Sequence, residues 1–137
     1  MIRSLPRADG RIEWRPVTWI CADILNDGLP DERYDIIAAN PPYIPSADIP
    51  GLMAEVSLYE PRLALDGGAE GLRFYRGIID QSGQHLRPGG RLFFEIGHDQ
   101  AAAVTAMMDE RGFYDIRVTK DLGGHDRVVS GRYAVTL

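Results

Sequence analysis

Tyr34-Asp35-Ile36-Ile37-Ala38-Ala39-Asn40-Pro41-Pro42-Tyr43 is the stretch on which the fold turns. Its first six residues are a short apolar run with β-branched members, the mark of a buried strand, and Asn40-Pro41-Pro42 brings that strand to a stop. Proline has no N–H to offer a ladder, so the strand cannot run on. In open α/β sheets ligands collect at the carboxyl ends of parallel strands. Asn40-Pro41-Pro42-Tyr43 therefore lies where chemistry is expected.

Outward from this stretch the chain alternates. Pro42, Pro45, Pro50 and Pro61, with Gly51, Gly67 and Gly68, predict a long irregular excursion over 41–68, a kind of loop that is usually functional or disordered. Leu72, Tyr75, Ile78, Ile79 and Leu86 recur at three- and four-residue spacing and predict an amphipathic helix over 70–86, ended by Arg87-Pro88-Gly89-Gly90. A second buried strand follows over 91–96. A second helix over about 99–111 shares Ala101, Val104 and Met108 on one face and stops at Gly112. Two strand-like segments, 116–120 and 127–134, flank Leu122-Gly123-Gly124-His125 and are too close in sequence for a parallel crossover, so they pair antiparallel. Upstream, Val17 to Cys21 is also strand-like. The fold class is α/β, a layered sheet closing on an antiparallel hairpin.

Composition limits the partners. A chain of 137 residues is one domain's worth, and its single cysteine, Cys21, allows neither an internal disulfide nor a cysteine zinc site. Three scattered histidines do not make a metal site either; His85 and His125 read as surface positions and His98 as a helix-start residue. No run of about 18 apolar residues and no leader pattern is present, which predicts a soluble, cytoplasmic protein with no membrane role. The net charge is −5 and the arginines are scattered singly, so unaided nucleic-acid binding, dominated by phosphate neutralisation, is not expected.

The tetrad is acceptor-rich. Neither Pro41 nor Pro42 has an N–H, and the Asn40 side chain adds a carbonyl oxygen, so the stretch can grip an NH2 group by both hydrogens. Such a grip fixes the nitrogen for attack on an electrophile. Tyr43 would lay its ring on a planar substrate group, its π-face also favouring a nearby cation. The plainer reading, a proline strand terminator followed by an aromatic core residue, stands beside it at even weight for the tetrad alone.

The blocks around the tetrad carry a resemblance. Asn40-Pro41-Pro42-Tyr43-Ile44-Pro45, Glu55-Val56, Tyr59-Glu60-Pro61, Gly67-Gly68 with Glu70-Gly71-Leu72, Leu86 to Gly90, Glu95-Ile96-Gly97 with Gln100, and Asp121 to Gly124 with Asp126 to Val129 together resemble the release-factor glutamine methyltransferase (HemK-type) family. The resemblance implies methyl transfer from S-adenosylmethionine to the side-chain nitrogen of a glutamine in a peptide-chain release factor, on a Rossmann-like class I sheet. It implies roles for Asn40, Pro41, Pro42 and Tyr43 at the reacting amide, Asn40 and Pro41 as acceptors and Tyr43 as a packing surface, with Glu60 shaping the substrate loop. It implies that Asp23, with Asn40, touches the cofactor. Asp23 also reads as an N-cap or a solvated turn, at equal weight, and Asp126-Arg127 as an ion pair or turn contact.

The resemblance covers a C-terminal portion. The glycine-rich loop after the family's first strand and the acidic residue ending its second belong ahead of Val17, where residues 1–16 hold only Gly10. The expected organisation is therefore one partial catalytic domain over 1–137, with 34–137 as core, the family's first strands missing, and 1–33 open to rearrangement. The strand at 36–39 would then be an exposed edge, predicting a homodimer or strand exchange through it. Two alternatives stand beside the enzyme: a DNA amino-methyltransferase fragment, which the acidic charge disfavours, and a non-catalytic module that keeps the amide pocket alone.

Overall fold

The computed structural model describes residues 2–6, 12–52 and 60–134. Two strands, β1 (Ile2–Pro6) and β2 (Ile12–Pro16), pair antiparallel with Ile2 opposite Pro16. The main sheet consists of β3 (Tyr34–Ala39), β4 (Leu86–Glu95), β5 (Phe113–Lys120) and β6 (Asp126–Tyr133), in the order β3-β4-β6-β5. β3 and β4 run parallel, while β6 lies antiparallel to both β4 and β5. Between β3 and β4 the chain passes through a 3-10 turn (Ser46–Gly51), the single-turn helix α1 (Arg62–Leu65) and the crossover helix α2 (Arg73–His85). Helix α3 (Ala101–Glu110) joins β4 to β5.

The crossover is what makes β3 and β4 parallel, and its apolar stripe makes it pack. Tyr75, Ile78 and Ile79 are buried, and each of the two isoleucines contributes about 1.5–3 kcal/mol by leaving water. Ser82 is buried on the same side, and its hydroxyl donates to the Ile78 carbonyl at 2.6 Å, so the stripe holds no unsatisfied polar group there. Against this stripe β4 presents Leu92 and Phe94, both fully buried. Phe94 meets Tyr75 edge-on with 5.1 Å between ring centroids. Val104 and Met108 of α3, Phe113 and Val129 complete the core.

The sequence expectation differs from the structure in three places. Residues 87–90 do not merely end a helix: β4 begins at Leu86 and takes them in as an irregularity, Tyr34 pairing with Leu86 but Ile36 with Arg91. Gly89 at φ 75° and the missing N–H of Pro88 account for the break in register. Residues 17–21 form no strand, because no ladder reaches them; the upstream pairing lies at 12–16, and Trp19 and Ile20 are left 77% and 62% exposed. β3 stands at the sheet edge, as the missing first strands lead one to expect, but it is not the buried strand its apolar run suggests: Ile37 is buried and Ile36 63% exposed. The segment 24–29 is nevertheless docked on α2, since Gln81 donates to the Ile24 carbonyl at 2.8 Å and accepts from the Leu29 N–H at 3.1 Å.

Candidate active site

β3 and β4 end side by side. Ala39 pairs with Phe94, so Asn40 and Glu95 each leave the carboxyl end of a parallel strand at the same level. Beyond Asn40 the chain is held from two sides. On one side the Ile44 N–H donates to the Leu65 carbonyl at 3.0 Å and the Ser46 N–H to the Gly68 carbonyl at 2.9 Å, while the Gly67 N–H returns to the Ile44 carbonyl at 2.9 Å. Asp66 reinforces this contact, accepting from the Ser46 hydroxyl at 2.5 Å and the Gly68 N–H at 3.0 Å. The Ser46 hydroxyl, followed by the Gly68 N–H, holds the Asp66 carboxyl below the usual carboxylate range.

On the other side stands Gln100, 8% exposed and fully used. Its amide donates to the carbonyls of Tyr43 at 2.9 Å and Gly71 at 3.2 Å, and its oxygen accepts from the Gly97 N–H at 2.9 Å and the Tyr75 hydroxyl at 3.3 Å. Gly71 sits at φ 74°, and a Cβ there would run into the Tyr43 carbonyl and the Gln100 amide. The tetrad is thus set on a rigid seat, not draped over the surface.

A cavity of about 400 Å³ opens beside it. Asn40, Pro41, Glu60 and Glu95 bring acceptors to its wall, and Tyr43, Ile44 and Leu65 give it an apolar side; among the described residues no lysine or arginine lines it. Asn40 is exposed, and no hydrogen bond among the described residues engages its side chain, whose oxygen is free for a guest. Four of the sequence-derived residues, Asn40, Pro41, Tyr43 and Glu60, come together here. Pro42 faces the other way. With Asn40 and Pro41 it borders a second, apolar pocket of about 320 Å³ whose walls include Ile24, Leu29, Ile37, Phe74 and Ile78. Asn40-Pro41 is therefore a partition between a polar cavity and an apolar one.

Asp23 lines neither space. Its Oδ1 accepts from the Leu25 N–H at 2.9 Å and its Oδ2 from the Asn26 side chain at 2.7 Å, closing the turn over 24–27. These bonds, the Leu25 N–H foremost, lower its pKa. The turn reading of Asp23 is the one the geometry favours. A methyl donor such as S-adenosylmethionine needs an apolar slot for its base, acceptors for its ribose hydroxyls, and an opening toward the substrate nitrogen. The residues present offer the slot and the opening at Asn40, but among the described residues no carboxylate is turned into the slot, so the set is incomplete for the whole cofactor.

Sequence reasoning missed two members of the site. Glu95 was readable only as the end of a strand, although the rule that places ligands at carboxyl ends applies to β4 as much as to β3. Gln100 looked like one matched letter and is the hub of the seat. Behind the cavity Arg127 donates to Asp121 at 3.2 Å and to the Ile96 carbonyl at 3.2 Å. Its pKa is raised, first by Asp121, with Tyr43 and Glu95 adding to the field. Asp126 and Arg127 do not pair with each other as the sequence suggested: Arg127 pairs with Asp121, and Asp126 with Lys120.

The fold is part of a methyltransferase-type α/β sheet, extending from its parallel strands to its closing antiparallel pair. A solved methyltransferase from Pyrococcus furiosus has the same fold, with a TM-score of 0.56 at 16% identity over 80% of this chain and 46% of that one. Within this class, the chain is related in sequence to the C-terminal portion of the release factor glutamine methyltransferases. It is 50% identical to the enzyme of that name from Geobacter sulfurreducens over 108 residues, 79% of this chain and 38% of the relative, and 46% identical to the one from Clostridium botulinum over 112 residues, 81% and 40%. The chain therefore spans about two-fifths of the length of these relatives. No protein-family model matches it. No helix among the described residues is long and apolar enough to cross a membrane.

Proposed function

We propose that this chain carries the amide-holding part of a protein-glutamine methyltransferase, acting in the cytoplasm on the side-chain amide of a glutamine in a peptide-chain release factor. The observation that carries the reading is the acceptor-lined cavity at the ends of β3 and β4, with the Asn40 oxygen free in its wall. Asn40 Oδ1 accepts one N–H of the glutamine carboxamide and the Pro41 main-chain carbonyl accepts the other, while Tyr43 covers the amide plane. Held by both hydrogens, the nitrogen keeps a fixed position with its lone pair turned toward the partition. S-adenosylmethionine, when bound, supplies an electrophilic methyl group. The chain's own task is orientation, and no general base is needed beforehand, because the amide proton becomes acidic only after nitrogen has been alkylated. Positioning of this kind is worth several kcal/mol of barrier.

The domain reading belongs to the same proposal: residues 34–137 form the core, and 1–33 pack differently from their counterparts in the relatives. Two copies associate through the β3 edge, which Ile36, 63% exposed, leaves apolar. A second reading is favoured by the turn that occupies Asp23: the chain binds the amide but not the donor.

The test has two arms. In the first, a peptide containing Gly-Gly-Gln is titrated into the intact chain by calorimetry, and binding lost in Asn40→Ala supports the amide pocket. In the second, the chain is incubated with a release factor and S-adenosylmethionine carrying a labelled methyl group. Label on the glutamine that disappears with Asn40→Ala supports transfer, whereas peptide binding without label leaves the module reading. Absence of peptide binding rules out both.

A further inference from the structure

Resting on the amide-pocket reading, we infer that Glu95 is a second substrate-binding residue, whose carboxylate accepts the main-chain N–H groups of the segment that carries the glutamine. The pocket then recognises a carboxamide only as part of a polypeptide. Three observations lead there. Glu95 and Asn40 follow the paired residues Phe94 and Ala39 at the ends of adjacent parallel strands, so their main chains lie about 4.8 Å apart, a separation that a glutamine side chain can bridge from its amide back to its own main chain.

The Glu95 main chain is held by the buried Tyr75 hydroxyl, whose one proton is shared between the Glu95 carbonyl at 2.9 Å and Gln100 Oε1 at 3.3 Å. Its side chain lies on the strand face opposite buried Phe94, in the cavity wall, half-buried. There the carboxylate makes no hydrogen bond among the described residues, and no lysine or arginine among them lines the cavity; Arg127, behind it, acts on Glu95 only through its field. A donor-rich guest gives this carboxylate charge-assisted hydrogen bonds in place of those to water. Asn40 Oδ1 and the Pro41 carbonyl take the two hydrogens of a guest NH2, so a guest offering only that group brings no donor to the Glu95 carboxylate, and a peptide does. Arg127 does not serve instead: its guanidinium is already engaged by Asp121 and by the Ile96 carbonyl.

The experiment is a double-mutant cycle read by calorimetry on the intact chain. The probes are a Gly-Gly-Gln-Gly peptide, capped at both ends, and the same peptide N-methylated on the main-chain nitrogens of the glutamine and of the residue after it. The wild-type chain is expected to bind the parent peptide at least tenfold more tightly than the methylated one, the loss appropriate to a hydrogen bond to a charged acceptor. Glu95→Gln, nearly isosteric, is expected to weaken the parent about tenfold and to shrink the penalty for methylation. Equal binding of both peptides by the wild type, or a methylation penalty that Glu95→Gln leaves unchanged, overturns the role of Glu95 alone. Failure of the wild type to bind the parent peptide overturns the amide pocket with it. Far-UV circular dichroism of the variant verifies its fold, and the wild-type comparison decides the matter even should the variant not fold.

Discussion

Asn40 presents its side chain to solvent with no internal partner, so its role and its contribution to stability separate cleanly. Asn40→Ala is predicted to weaken carboxamide binding about tenfold by removing one acceptor, with unfolding free energy changed by no more than about 0.5 kcal/mol, as for other surface substitutions. Calorimetry and urea denaturation on the same preparation check both. Asp121 is the opposite case, a carboxylate spent entirely on structure. The His125 N–H, Arg127 and the Gly123 N–H hold its carboxyl below the usual range. A carboxyl depressed in the folded state contributes stability that is complete above the unfolded value of about 3.9 and is lost as the pH falls through the lower folded value. Asp121→Asn should therefore lower Tm at neutral pH, and the gap to wild type should close in acid; a gap that is constant with pH would contradict the assignment. At this scale the tetrad was legible because proline and asparagine declare their chemistry in one letter. Asp23 was not, since a carboxylate that binds a ligand and one that caps its own turn have the same sequence.

The segments that position the site are 40–46 and 65–72, and they are held together by Gln100 and Gly71. Gln100→Ala leaves the Tyr43 and Gly71 carbonyls without their donor, a loss of about 1–3 kcal/mol for buried groups left unpaired. Gly71→Ala forces a side chain into a φ of 74° against the Tyr43 carbonyl and should destabilise by about 1–3 kcal/mol. Both variants are predicted to weaken peptide binding although neither residue touches the guest, a coupling measured by denaturation and calorimetry in parallel. α2, α3 and the β5-β6 pair were readable from spacing, because Tyr75, Ile78 and Ile79, or Val104 and Met108, repeat at the helical period that buries them. Residues 17–21 misled for a physical reason: β-branched and aromatic residues favour a strand, yet a strand exists only where a neighbour supplies the ladder.

On the scale of the molecule, the sheet order β3-β4-β6-β5 leaves the apolar strand that bears the tetrad at an edge. Light scattering is predicted to show dimers that Ile36→Lys converts to monomers, a charge on an edge strand being a common block to pairing; a wild-type chain monomeric at high concentration would contradict this. The edge position of β3 was legible only through the resemblance, which puts the family's first strands ahead of Val17; no local pattern around Ile36 encodes it, since strand order is a property of the whole sheet. The cavity that the two parallel strand ends create is probed by a crystal structure of the chain with a bound Gly-Gly-Gln peptide. The carboxamide nitrogen is expected within hydrogen-bond distance of both Asn40 Oδ1 and the Pro41 carbonyl, its plane against Tyr43. A peptide seated elsewhere, with the Asn40 oxygen turned back onto its own main chain, would contradict the amide pocket.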